Sequence, residues 1–284
     1  MIQFGIELEG YGLTKEEILE VMESEGAIHE GFLGYMDGGN RRGTHNDQKV
    51  QGDYVWKTTR DGSLSSMPFC DYGRVGHHEI VSPICYGREG QLKVESMWRA
   101  LVKKGFYVDN TCGTHLTMGL NNNARFQRMS TKKKTEVAMR IAQLYHHFQN
   151  IFDALSPNKR NGGFHYCSKP NLHNPFNDRT SAVNLTNWAL YGIVEFRQFG
   201  YTTDLKNFRG WMKVLDSILS CAFNENHTSY GVSLHNVPVT WASMAQFLNV
   251  GRAASRWGED RILHLATTYR GGRENRIEVL GGEE

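Results

Sequence analysis

The stretch YGIVEFRQFG, residues 191–200, decides how the chain folds. Ile193, Val194, Phe196 and Phe199 favour extended backbone. Successive side chains of a strand point to opposite faces, so Glu195 and Arg197 share one face while Val194 and Phe196 share the other. Strands of a parallel sheet covered on both sides are apolar throughout. A half-polar strand belongs in an antiparallel sheet with one open face.

The same alternation recurs along the chain. In IQFGIELEG (2–10), Phe4, Ile6 and Leu8 oppose Gly5, Glu7 and Glu9. In GTHLTMGL (113–120), Leu116, Met118 and Leu120 oppose His115 and Thr117. DYVWKTT (53–59), RVGHHEIVS (74–82) and SAVNLTN (181–187) complete the strand candidates. Helical patterns stand between them. Thr14 and Glu17 have capping-box spacing ahead of Ile18 and Met22. QLKVESMWRALVKKG (91–105) puts Val94, Met97, Trp98 and Leu101 on one side and stops at Gly105. Val137, Ile141, Leu144, Phe148, Ile151 and Leu155 step by four and three, which predicts one helix over about 131–155. Another helix starts near Thr203, shorter ones lie near 241–250 and 260–268, and the tail RGGRENRIEVLGGEE (270–284) reads as a short strand in a frayed end. These patterns predict an α+β fold: a curved antiparallel sheet with helices packed on its convex face, leaving the other face for chemistry. One catalytic domain is expected over 1–225. Residues 226–284 are expected to form a helical extension and tail packed on it.

Composition narrows the function classes. The chain has 284 residues, 22% charged and 39% hydrophobic, with a formal net charge of +2. No field of one sign points to nucleic acid or an anionic membrane. Cysteines at 70, 85, 112, 167 and 221 form no CxxC and are odd in number, which reads as free thiols in a reducing cytoplasm. No apolar run reaches transmembrane length and residues 1–30 hold no signal-peptide core. The glycine-rich polar segment 29–52 is too long for an ordinary connection and is a candidate lid or binding loop.

The polar strand faces carry Glu7 and Glu9, Glu79, His115, and Glu195 with Arg197; Asp61 sits at a turn. Carboxylates gathered on one face repel one another and take up protons unless a cation sits among them. Hard divalent ions such as Mg²⁺ prefer oxygen ligands and bind one or two carboxylates together with phosphates. A guanidinium beside such a site matches phosphate oxygens in a fork. Glu195 is therefore read as a metal ligand and Arg197 as the holder of a phosphoryl group. Taken one by one, the same residues fit blander roles. A Glu-x-Glu is usually a solvated face, Glu195 and Arg197 can pair across a sheet, and a lone histidine is more often structural. His77–His78 and His146–His147 are read as structural. No GxxxxGK[ST] occurs, so a nucleotide here would be held by metals and arginines.

The ordered series FGIELEG, RDGSL, HHEIVSP, CGTHLTMGL, RTSAVNL and GIVEFRQFGYTTD, over about residues 3–220, resembles the amidoligase family. That family belongs to the carboxylate–amine ligase superfamily that includes glutamine synthetase and γ-glutamylcysteine synthetase. The resemblance implies a glutamine synthetase catalytic-domain-like fold and an ATP-dependent ligase using Mg²⁺, with Mn²⁺ as its substitute. It implies metal binding by Glu7, Glu9, Glu79, His115 and Glu195. His115, Arg179 and Arg197 would contact the nucleotide or its phosphates, with Arg197, Arg179 and Asp61 at the reacting groups. The substrates would be a carboxylate and an amine from a small molecule, peptide or protein; oligomeric state stays open. Glutamine synthetases carry His-x-His where this chain has His115 and Thr117, which removes one candidate ligand. A phosphotransferase, a metal-dependent hydrolase using the same carboxylates, and a non-enzymatic binding module are the competing readings.

Overall fold

The computed structural model describes residues 3–26, 29–30, 56–60, 78–109, 112–156, 167–200, 202–224, 233–268 and 273–281. The fold is mixed α+β and divides into two compact units. Unit 1 is Met1–Met118 with Tyr201–Thr203; unit 2 is Gly119–Gly200 with Asp204–Glu284. The division runs at 118/119, and the described helices after 225 belong to unit 2.

Unit 1 is built on a sheet of β1 (Gln3–Gly10), β2 (His29–Glu30), β3 (Trp56–Arg60), β4 (His78–Val81), β5 (Cys85–Tyr86) and β6 (Thr114–Gly119). The order is β2-β3-β4-β1-β6, with β5 also on β1. β1 pairs antiparallel with β4 and β5, and β3 antiparallel with β4; the short β2 joins β3 in parallel. Phe4, Ile6, Leu8, Ile80 and Thr58 are buried on one face. Helices α1 (Lys15–Ser24) and α2 (Gly87–Lys104) supply Ile18, Val21, Met22, Val94, Met97, Trp98 and Leu101 to the same core. Thr14 and Glu17 form the capping box expected from their spacing. Gly105 ends α2 at φ 121°, a conformation open to glycine and strained for other residues. His78 is buried with its Nδ1 3.4 Å from Thr58 Oγ1, a structural role; His77 lies outside the described residues.

Unit 2 holds the antiparallel pair β7 (Val183–Asn184) and β8 (Ile193–Phe196) among helices α3 (Ala124–Gln127), α4 (Thr131–His147), α5 (Gln149–Leu155), α6 (Trp188–Tyr191), α7 (Leu205–Phe223), α8 (Trp241–Phe247), α9 (Arg252–Thr268) and α10 (Arg273–Val279). α4 packs on α7, α9 on α7 and α5, and α10 on α5 and α9. Two glycines allow the closest approaches. A Cβ on Gly210 of α7 would lie 2.0 Å from the Trp257 ring, and one on Gly258 would lie 2.0 Å from the Trp241 ring.

Three segments differ from their sequence patterns. The single helix expected over 131–155 is two, broken at Phe148 (φ −94°, ψ 17°). The apolar stepping continues across the break because Phe148 itself is fully buried, so the pattern hides the change of direction. The strand expected at 181–187 is only two residues long. The tail expected as a strand is helix α10, because Arg276 and Val279, three apart, are both buried on one side.

Arg276 is 2% exposed and explains why α10 docks. Its Nη2 donates to the Ser156 carbonyl at 3.1 Å and its Nε to that of Ala154 at 3.4 Å, meeting carbonyls that the end of α5 leaves unpaired. Ser156 Oγ in turn donates to the Gln198 carbonyl at 3.1 Å. The Gln198 side chain accepts from Tyr145 Oη at 2.9 Å and from Gln149 Nε2 at 3.0 Å, and donates to Asp153. Burial pushes the Tyr145 phenol well above its usual value, so it stays a donor at any ordinary pH. His146 and His147 contact the Pro170 and Val237 carbonyls, each at 3.0 Å, in the structural role expected of them. Removing the guanidinium in Arg276→Met should destabilise the protein by about 3 kcal/mol, because two buried carbonyls lose a charged donor. A urea midpoint followed by tryptophan fluorescence checks this; an unchanged midpoint would show that α10 docks by apolar contact alone.

Candidate functional site

The sheet of unit 1 brings four of the expected residues together. In the β1–β4 register Glu9 stands opposite Glu79, and Glu7 opposite Val81. Directly opposed residues share a face, as do residues two apart, so Glu7, Glu9 and Glu79 lie on the side away from Ile6, Leu8 and Ile80. β6 adds His115, which is 3% exposed. Its Nδ1 is 3.0 Å from Glu7 Oε2 and its Nε2 3.3 Å from Glu9 Oε1, so one imidazole bridges both carboxylates. Glu9 is 4% exposed and also accepts from the Gly113 backbone N–H.

Like charges directly opposite on neighbouring strands destabilise a sheet, and buried carboxylates are costly without a cation. This arrangement fits a bound divalent ion. Oxygen donors with one imidazole suit Mg²⁺ or Mn²⁺, and the Gly113 N–H orients a Glu9 carboxylate oxygen.

In unit 2, β8 shows the alternation read from the sequence. Val194 and Phe196 are fully buried, while Glu195 and Arg197 are half-buried on the other face. Glu195 Oε1 accepts from Arg197 Nη1 at 2.9 Å, an ion pair between β8 and the residue just past its end. Glu195 Oε2 accepts from Asn184 Nδ2 at 2.7 Å, and Asn184 is its register partner on β7. The Arg197 backbone is fixed as well: its N–H donates to the Ala182 carbonyl at 3.0 Å and its carbonyl accepts from Cys167 Sγ at 3.4 Å. Arg179 is exposed ahead of β7, beside Asp178, whose Oδ1 accepts from the Thr180 N–H and hydroxyl. Asp61 and nearly all of the 29–52 segment lie outside the described residues.

Sequence reading missed three contributors. Asn184 was visible as the polar residue of SAVNL, but its partner becomes known only from the β7–β8 register. Gly113 acts through its backbone and leaves no side-chain signal. Lys57 falls on the Glu7 face because Lys57 stands opposite Val81 in the β3–β4 register. Alternation in WKTT pairs it with Thr59, yet only the register assigns that face.

A family model described as "Putative amidoligase enzyme" matches residues 1–171, more than half of the chain. The chain belongs to the amidoligase family. Membership supports an enzyme that forms amide bonds. The matched segment contains Glu7, Glu9, Asp61, Glu79 and His115; Arg179, Glu195 and Arg197 lie beyond it. Among solved structures the chain is similar to a bifunctional glutathione synthetase from Pasteurella multocida, with 13% identity and a TM-score of 0.48, over 99% of this chain and 50% of that one. The chain thus spans about half the length of that protein. No curated protein matches its sequence.

Among the described residues of this amidoligase-family chain, Cys85, Cys112, Cys167 and Cys221 form no disulfide, and burial raises Cys85 and pushes Cys221 up to about 11. Among the described residues no helix is long and apolar enough to cross a membrane.

If Glu79 serves a cation, its neutralisation separates stability from binding. Glu79→Gln removes the repulsion across from Glu9 and should raise the metal-free Tm by about 1–3 °C. The same change should weaken Mn²⁺ binding by about tenfold or more, measured by calorimetry. A lowered Tm with unchanged Mn²⁺ affinity would make Glu79 a purely structural residue.

Proposed function

We propose that this chain is an ATP- and Mg²⁺-dependent carboxylate–amine ligase that works through an acyl-phosphate intermediate on a glutamine synthetase-like catalytic fold. The carrying observation is the Glu7–His115–Glu9 bridge, with Glu79 opposite Glu9, in a member of the amidoligase family. Glu7, Glu9, Glu79, His115 and Glu195 would hold the divalent ions. When bound, those ions supply charge neutralisation for the triphosphate and orientation of its terminal phosphoryl group.

The chain's own groups then have separate tasks. A substrate carboxylate oxygen bonds to the terminal phosphorus and the bond to the ADP oxygen breaks. An amine nitrogen next attacks the acyl carbon, the bond to phosphate breaks, and the amine gives up a proton. Negative charge gathers on phosphoryl oxygens in the first step. Arg197, paired with Glu195, would bear it as a planar fork, and Arg179 would serve as a second cation for phosphate or substrate carboxylate. Asp61 would orient substrate. Exclusion of water protects the acyl phosphate, and the 29–52 segment is the proposed cover. The carboxylate and the amine come from a small molecule, peptide or protein.

Calorimetric titration of Mg·ATP and an assay for ADP release test this reading. Binding should require Mg²⁺ and weaken in Glu7→Gln. Glu195→Gln should abolish ADP formation with the fold intact, and Arg197→Lys should lower it by about 100-fold, since a point charge cannot replace the fork. ADP without amide product would make the protein a phosphotransferase. Turnover with metal but no nucleotide would make it a hydrolase. Full activity in Glu195→Gln would remove that residue from the site.

A further inference from the structure

We propose that Lys57 is an anion anchor on the carboxylate face: its ammonium holds a negatively charged oxygen of a substrate on the same face as Glu7. The proposal rests on the ligase reading for its context but on its own geometry for its content.

The registers fix the position. Lys57 stands opposite Val81, and Val81 opposite Glu7, so the three form one row across β3, β4 and β1. The next row is Thr59, Glu79 and Glu9. Lys57 therefore shares the face of all three carboxylates. Two strand spacings, roughly 9–10 Å, separate its backbone from that of Glu7. Its diagonal neighbour is Glu79, at a separation that long side chains can span.

Two ordinary explanations for a strand lysine do not apply. Lysines often guard the exposed edge of a sheet, but β3 is flanked by β2 and β4 and is not an edge. Lysines also often sit in ion pairs, as the more exposed Lys93, Lys104 and Lys206 do. Half-buried Lys57 makes no ion pair among the described residues, although acids share its face. Glu30 is its register neighbour on β2. A cation on an acidic face that makes no ion pair among the described residues is poised for an incoming anion. An ammonium is a compact point charge with three donors, suited to a single oxyanion corner of either a carboxylate or a phosphate.

The full-length chain should be titrated calorimetrically with inorganic tripolyphosphate plus Mg²⁺, with succinate, and with Mn²⁺ alone. Lys57→Met should weaken one of the two anions by about tenfold or more. Lys57→Arg, which keeps the charge, should restore most of that loss. Loss for tripolyphosphate would identify the anion as phosphate, and loss for succinate would identify it as carboxylate. Mn²⁺ affinity should be unchanged or tighter in Lys57→Met, because a positive charge has left the face. The proposal is overturned if Lys57→Met binds both anions as the native chain does, or if the native chain binds neither. It is also overturned if Mn²⁺ affinity falls in parallel, or if Glu30→Gln and Lys57→Met shift Tm together with no change in anion binding. Succinate binding lost in Lys57→Met, in a native chain that binds no Mg·ATP, would uphold the anchor and sink the ligase reading.

Discussion

Repulsion between like charges on neighbouring strands is the constraint from which the arrangement of unit 1 follows. Glu9 and Glu79 are direct register partners on the central strands β1 and β4, and Glu7 lies two residues along on the same face. A sheet selected only for stability would place threonines or opposite charges there. Here the carboxylates are kept, and the structure compensates locally. β6 enters on the other side of β1 and inserts His115 between Glu7 and Glu9, and the Gly113 N–H turns toward Glu9. The apolar residues are thereby confined to the opposite face, where α1 and α2 cover them. The division of labour between the faces is thus set by charge as much as by burial.

Unit 2 solves a related problem at β8. Both carboxylate oxygens of Glu195 are engaged, one by Asn184 and one by Arg197. The guanidinium is therefore tied through Glu195 to β8 and its partner strand β7. Such short-range support holds a cationic group to a narrow geometry.

Much of this was legible in the sequence wherever one face of an element is buried. Phe4, Ile6, Leu8, Leu116, Met118, Val194 and Phe196 marked their strands because alternation is forced by the pleat, and the polar partners Glu7, Glu9, His115, Glu195 and Arg197 followed by difference. The Thr14 capping box and the Gly105 stop were legible because caps are local chemistry. What escaped depends on contacts far apart in the chain. The break at Phe148 is masked by continuous burial. Helix α10 was read as a strand because Arg276 looks like a surface residue until Ala154 and Ser156 are known to face it. Lys57 and Asn184 gain meaning only from register, which no single segment encodes. Asp61 and nearly all of the 29–52 segment lie outside the described residues.

The Arg276 contacts have a consequence for how the chain is made. Its hydrogen bonds reach carbonyls 120 and 122 residues earlier, at the end of α5. Ser156, one of those partners, also holds the backbone beside Arg197. Proteins emerge from the ribosome N-terminus first, and contacts across long sequence separations close late. A nascent chain that already contains every residue of β7 and β8 still lacks the group that caps α5 behind them. Unit 2 therefore cannot reach its final hydrogen bonding until residue 276 has been synthesised.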